Sequence, residues 1–308
     1  MTVLIIDNQA EFYAERLAEA VPEMTFDAAV DLDQAIALAP DAEVLVGLAP
    51  YLKPELLAKM PKLTWIQALT TGVDNLLSLK GVAITNCSGI HGPQMSELAV
   101  LHMLALLRRF PRMLENQKAH VWERWPQPLL AGKTACIVGL GAIAGHLAGV
   151  LGAFGMRVTG VSGGRRSAPG IDKVYPRSAL VDAAAEADFL IVLTPYSEAT
   201  HHIVNAEVLG AMKPSAYLVN IARGGCVDEA ALAESLKSGG IAGAALDVFA
   251  HSPLVPEAAV WDLPNLIVTP HIGGASDIYH EQALPIVIAN MKAFASGGVA
   301  ALKGRLDT

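Results

Sequence analysis

A chain of 308 residues is long enough for two domains and a large buried core. Hydrophobic residues make up 53% of it and charged residues only 17%, which excludes a disordered chain. The net charge of −8, with no long basic run, argues against nucleic acid or anionic membrane as partners, so an anionic ligand needs positive charge placed locally.

The N-terminal MTVLIIDNQAEF has no positive n-region and is not expected to be a signal peptide. In the first third, Val3–Asp7, Val44–Gly47, Thr64–Leu69 and Val82–Asn86 read as strands rich in Val, Ile and Leu. Glu11–Ala20 and Leu32–Leu38 read as helices between them, which implies βαβ units and a parallel sheet. Ser96–Phe110 is expected to be a long helix capped by Ser96. Arg112–Leu130, with Trp122, Trp125 and two prolines, reads as an arm or connector between domains. A second series then gives six strands: Thr134–Val138, Arg157–Val161, Phe189–Leu193, Tyr217–Ile221, Ala244–Val248 and Leu266–Thr269. Six alternating strands suit a doubly wound dinucleotide-binding sheet. Leu284–Ser296 is a last helix that folds back on the first domain. Thr134–Met156 has no charged residue and imitates a membrane span, but its six glycines fit a strand, a turn and a buried helix better. Cys87, Cys136 and Cys226 lie far apart with no CxxC pair, which suits a cytoplasmic protein without disulfides or a metal site.

Gly139-Leu-Gly141-Ala-Ile-Ala144 joins a strand to a helix. Gly139 permits a tight turn, Gly141 lets a pyrophosphate approach the backbone, and Ala144 is small enough for helix–strand packing. The N–H groups around Ala142 and Ile143 would face the pyrophosphate. The alternative is a tight turn with no ligand. The second strand of this series ends in Val161-Ser162-Gly-Gly-Arg165-Arg166, without the acidic residue that usually bonds a ribose 2′-OH. Ser162, Arg165 and Arg166 instead suit a 2′-phosphate, so NADP(H) is preferred over NAD(H), unless both arginines are simply solvated loop charges. Later strands end in Thr194-Pro195, in Ile221-Ala222-Arg223, at Asp247, and in Pro270-His271-Ile-Gly273-Gly274. Ligands bind beyond the carboxyl ends of such strands, so these residues are expected to converge.

These residues resemble the D-isomer-specific 2-hydroxyacid dehydrogenase family along essentially the whole chain. The resemblance rests on Thr70-Thr-Gly-Val-Asp-Asn75, Asn86-Cys-Ser-Gly-Ile-His-Gly92, Leu218 to Glu229, Ala244-Ala-Leu-Asp-Val-Phe249 and Pro270 to Gly274. Within the family it is similar to glyoxylate/hydroxypyruvate reductases. It implies an α/β chain of two Rossmann-like domains with parallel sheets. One is a doubly wound dinucleotide-binding domain at 98–284; the other is a discontinuous, flavodoxin-like substrate domain at 1–97 and 285–308. It implies that Arg223 grips a substrate carboxylate, that amides around Thr71, Gly72 and Val73 hold a carboxylate, that His271 exchanges a proton with the C2 oxygen, and that Asp247 meets the nicotinamide carboxamide. Ile221, Ala222, Gly273 and Gly274 fall among the implied cofactor contacts, and the family usually forms dimers.

One departure stands out. The family's glutamate before the proline that follows the DVF segment, the partner of its catalytic histidine, is replaced by Ser252. A serine cannot favour the charged imidazole as a carboxylate does, although it can orient the ring. The departure leaves open a dehydrogenase for another small anion, as in relatives that oxidise formate or phosphite. A cofactor-sensing protein like the corepressors on this fold is the third reading. Tyr51, Leu52, Leu69, Trp122 and Trp125 are expected to be core or interface residues rather than a substrate pocket.

Overall fold

Runs of Val, Ile and Leu form strands because β-branched and aliphatic side chains fill both faces of a covered parallel sheet. The computed structural model describes residues 1–306, so the expected segment 285–308 ends two residues outside them. The chain divides into two units, Met1–Ile90 with Ser276–Thr308, and His91–Ala275.

The first unit contains β1 (Thr2–Ile6), α1 (Ala10–Ala20), β2 (Thr25–Ala29), α2 (Leu32–Leu38), β3 (Val44–Gly47), α3 (Pro54–Leu57), β4 (Trp65–Ala68) and β5 (Ala83–Thr85). Its five strands are parallel in the order β2-β1-β3-β4-β5. The second unit holds α4 (Gly92–Leu107), α5 (Phe110–Lys118), β6 (Thr134–Val138), α6 (Ala142–Ala153), β7 (Arg157–Ser162), β8 (Lys173–Pro176), α7 (Leu180–Glu186), β9 (Phe189–Val192), α8 (Ala206–Ala211), β10 (Tyr217–Asn220), α9 (Glu229–Ser238), β11 (Gly243–Leu246) and β12 (Leu266–Val268). Its seven parallel strands run β12-β11-β10-β9-β6-β7-β8. The chain then returns to the first unit as α10 (Tyr279–Gly297).

Both sheets are thus parallel α/β sheets of the expected class. Each carries one more strand than the sequence patterns indicate, β2 and β8, and both lie at sheet edges. In the second sheet the winding reverses between β6 and β9, which opens a crevice at their carboxyl ends.

Local signals explain several boundaries. The Asp228 carboxylate accepts the N–H groups of Ala230 and Ala231 and caps α9, and Gly239 ends that helix in the left-handed conformation. Asn205 caps α8 in the same way. The helix expected at Ser96 starts earlier, at Gly92 with Pro93 in its first turn. Ser96 is therefore not a cap: it is buried within α4, and its hydroxyl lies 2.8 Å from His146 Nδ1. The units divide at His91 and Ser276 rather than at 98 and 285. α4 packs on α6, β10 and β11, while α10 starts at Tyr279 and packs on α1. Tyr279–Ala301 is apolar and long enough to match a membrane span by length and composition. Its Ala283, Val287, Met291 and Phe294 nevertheless belong to the core of the first unit.

Candidate active site

The crevice of the second sheet is floored by a turn that only glycine can make. Gly139 has φ +100°, and a Cβ there would stand 2.7 Å from the backbone N and Cα of Thr194. The close approach joins the end of β6 to the end of β9, the two strands that flank the reversal. Ala144 is buried and supplies the small packing residue. Gly141 is the N-cap of α6, and no side chain caps that helix. The first-turn N–H groups, including those of Ala142 and Ile143, have no intrahelical acceptor and carry the positive end of the helix dipole.

At the end of β7, the Ser162 hydroxyl accepts the N–H groups of Gly164 and Arg165 and shapes the turn that displays Arg165 and Arg166, both exposed. A third arginine joins them. Arg177, just beyond β8, lies so close to Gly163 that a Cβ there would be 3.4 Å from its Nη2, and its Nη1 donates to the Ala199 carbonyl. The sequence patterns miss Arg177 because they miss β8. The strand-end signal itself would have found it.

The next loops are locked by a glycine pair. A Cβ on Gly224 would fall 1.9 Å from the Phe249 carbonyl carbon, and one on Gly225 would fall 2.5 Å from Tyr196 Cε2. The chain segments that follow β9, β10 and β11 therefore pack in direct contact. Thr194, Ile221 and Ala222 are buried there, whereas Pro195 is exposed. Asn220 organises the turn after β10: its amide donates to the Arg223 carbonyl and its Oδ1 accepts the Ala222 N–H. Arg223 emerges from that turn half-buried, with Nη1 donating to Ala222 O at 2.8 Å.

Asp247, 1% exposed, directly follows β11 and organises the loop after β12. Its Oδ1 accepts the Thr269 hydroxyl at 2.6 Å and the Ile272 N–H at 3.1 Å, and its Oδ2 accepts the Gly273 N–H at 2.9 Å. Among the described residues those donors leave Oδ2 with one further lone pair. His271 is exposed and has φ +54°, a left-handed conformation costly for a residue with a side chain. Gly274 lies beside His91, and its carbonyl accepts the Gln94 amide. Arg223 and His271 follow β10 and β12, with only β11 between those strands. Strand spacing puts their starting points roughly 10 Å apart, within reach of one small molecule.

Ser252 is exposed, and among the described residues no hydrogen bond joins it to the His271 ring. Thr71, Gly72 and Val73 belong to the other unit, in the loop after β4. There the Thr70 hydroxyl donates to Gly72 O, the Thr71 hydroxyl to Cys87 O, and the Asn86 amide to Thr71 O. Val73 is buried, and the N–H groups of Gly72 and Val73 have no acceptor among the described residues. Leu52 and Leu69 are core residues of that unit, while Tyr51 is exposed. Trp122 is 92% exposed in the segment after α5, where Arg112 pairs with Glu123 and stacks over Trp125. Among the described residues no group of three or more His, Cys, Asp or Glu side chains could hold a metal ion.

Residues 100–273 match the family model described as D-isomer specific 2-hydroxyacid dehydrogenase, NAD binding domain. The chain belongs to the D-isomer specific 2-hydroxyacid dehydrogenase family. It is 32% identical over 309 residues to glyoxylate/hydroxypyruvate reductase B of Pectobacterium carotovorum, covering 97% of this chain and 96% of that one. It is 34% identical over 287 residues to D-3-phosphoglycerate dehydrogenase of Mycobacterium bovis, covering 89% of this chain. The chain spans about half the length of that relative, 53%. A family protein from Aeromonas salmonicida matches with TM-score 0.91 and 36% identity over 99% of this chain and 98% of that one. An NADPH-dependent glyoxylate/hydroxypyruvate reductase of Sinorhizobium meliloti, solved with NADP and sulfate, matches with TM-score 0.83 and 29% identity over 100% and 98%. The family match falls on the unit that carries the Gly139 turn, Arg223, Asp247 and His271.

Proposed function

We propose that this chain transfers a hydride between NADP(H) and C2 of a small 2-oxo or 2-hydroxy acid, working as a reductase of glyoxylate- or hydroxypyruvate-type substrates. The observation that carries this reading is the arrangement of Arg223 and His271 beyond β10 and β12 of one sheet, with the Gly139 turn at its switch point. The names of the reductases that this chain resembles support it.

The residues present fit a nicotinamide dinucleotide. The Gly139 turn and the uncapped start of α6 suit a pyrophosphate, and Ser162, Arg165, Arg166 and Arg177 suit a 2′-phosphate. When bound, the dinucleotide supplies the hydride. Arg223 grips the substrate carboxylate and sets the face that C2 presents. The positive guanidinium also stabilises the negative charge that builds on the C2 oxygen. His271 gives that oxygen a proton and takes it back in the reverse direction. In the other unit, the Gly72 and Val73 N–H groups form a turn suited to a carboxylate.

The test follows nicotinamide absorbance with NADPH and NADH in parallel against glyoxylate, hydroxypyruvate and phenylpyruvate, with formate and phosphite as oxidisable controls. Turnover of a 2-oxo acid with NADPH is expected, and His271→Ala should cost on the order of 10²–10⁴ in rate. Oxidation of formate or phosphite alone would replace the substrate assignment. Tight NADPH binding without turnover of any of these acids would point to a cofactor sensor, a reading that Ser252 at the glutamate position keeps in view.

A further inference from the structure

The mechanism above uses His271 but not the buried histidine behind its turn. His102 lies in the middle of α4, 1% exposed, and its Nε2 is 3.2 Å from Thr269 Oγ1. Thr269 has a single hydroxyl hydrogen, which it donates to Asp247 Oδ1. Its oxygen must therefore accept from His102, which puts the ring proton on Nε2. Nδ1 then carries only a lone pair, and it is the ring atom without a partner. Burial keeps the ring neutral by pushing its pKa down to about 4.

Beyond Thr269 the chain of contacts continues to the turn that presents His271. Asp247 accepts the amides of Ile272 and Gly273, the two residues that follow the left-handed His271. Such a conformation is costly for a residue with a side chain and persists only when its surroundings hold it. The same helix presses on the turn a second time: a Cβ on Gly273 would stand 2.6 Å from Leu98 Cδ2 and 3.1 Å from Met95 Sδ. α4 is thus the platform of the turn: Gln94 donates to the Gly274 carbonyl, and His102 reaches the turn through Thr269 and Asp247.

We propose that His102 is a positioning residue: its Nε2–H, acting through Thr269 and Asp247, holds the turn that aims the His271 ring. The catalytic part of this proposal rests on the reductase reading above; the part about the turn does not. His102 itself does not touch substrate or cofactor. It prevents the Thr269 hydroxyl from rotating away, and so keeps the Asp247 carboxylate facing both amides.

The experiment compares His102→Leu, His102→Gln, Thr269→Val, Thr269→Ser and the His102→Leu/Thr269→Val double variant. Thermal unfolding checks that each is folded. The first readout is hydrogen exchange at the Ile272 and Gly273 amides, which needs no activity. His102→Leu and Thr269→Val should speed that exchange by about tenfold, while His102→Gln and Thr269→Ser, which keep a donor and a hydroxyl, should stay near the wild type. The second readout is kcat and KM on the best 2-oxo acid. The same two variants should lose about tenfold or more in kcat with little change in KM, because a mis-aimed proton donor affects the transition state. The double variant should be no worse than Thr269→Val alone, as expected of residues acting in series. Unchanged exchange in His102→Leu overturns the proposal, as does a double variant whose losses multiply. If the wild type reduces none of the acids, the reductase reading fails, and the exchange data still decide whether His102 holds the turn.

Discussion

At the scale of single residues, His102 also links stability to pH. Its pKa is pushed down to about 4 by burial, against about 6.5 for a free histidine, and the Asp247 carboxylate opposes that shift only in part. Between these two values the unfolded chain binds a proton that the folded chain does not. Stability is therefore lost as pH falls from about 6.5 to about 4, by roughly 3 kcal/mol in all at about 1.4 kcal/mol per pKa unit. Denaturant unfolding at pH 7 and pH 4.5 should show a larger loss in the wild type than in His102→Gln, by about 2 kcal/mol. Buried His91, also shifted down, and buried Asp7, shifted up, act in both proteins and cancel in the comparison. Equal losses in the two proteins would remove His102 from the account of acid sensitivity. Residues of this kind are hard to read from sequence, because a histidine on the apolar face of a helix looks like core. Gly139, Arg223, Asp247 and His271 were legible because each stands at the end of an apolar strand, where a polar or glycine residue has a positional meaning.

At the scale of elements, burial explains which strands were visible. β1, β6, β9, β10 and β11 are almost wholly buried and read as apolar runs. The edge strands β2 (TFDAA) and β8 (KVYP) each pair on one side only, and each carries a charged residue and exposed positions. Their strand character comes from pairing with β1 and β7, which a local pattern does not record. α10 poses the complementary case, since its attachment to the first sheet depends on buried polar groups. Asn290 Nδ2 donates to Gln67 Oε1, which also accepts the Thr85 hydroxyl, and Thr85 in turn accepts the Trp65 indole N–H. The Gln67 amide donates to the Ala68 carbonyl. Gln67→Leu keeps the volume but strands the amide of Asn290 and a hydrogen of Thr85 in the core, at about 1–3 kcal/mol for each buried group left unmade. Asn290→Leu removes only one donor, and Gln67 keeps its bond from Thr85. Denaturation followed by the emission of buried Trp65 should place Gln67→Leu at least about 2 kcal/mol below Asn290→Leu. The reverse order would mean that volume rather than hydrogen bonding secures the helix.

At the scale of the whole molecule, a chain with net charge −8 repels both ligands assigned to it, a dinucleotide phosphate and a carboxylate. Capture then depends on where the few cations stand. Arg165 and Arg166 leave the β7 turn, Arg177 follows the edge strand β8 and packs beside Gly163, and no acidic residue lies between Ser162 and Arg166. Arg165 and Arg166 thus follow β7 and Arg177 follows its neighbour β8, on the side of the sheet where an adenosine 2′-phosphate would lie if the pyrophosphate sits at the Gly139 turn. A charge-assisted hydrogen bond contributes roughly 1.5–3 kcal/mol, and each 1.4 kcal/mol is tenfold in affinity. Arg165→Ala and Arg177→Ala should therefore each raise the KM for NADPH by about tenfold or more, and leave the KM for NADH within about twofold. Steric and folding effects would move both constants together; loss of a phosphate contact moves only one. The proposed preference for NADPH should also weaken as salt is raised, because exposed charges are screened over about 8 Å at physiological ionic strength, and the Arg177→Ala protein should show a shallower salt dependence. Equal KM changes for the two cofactors would assign these arginines to the solvated surface.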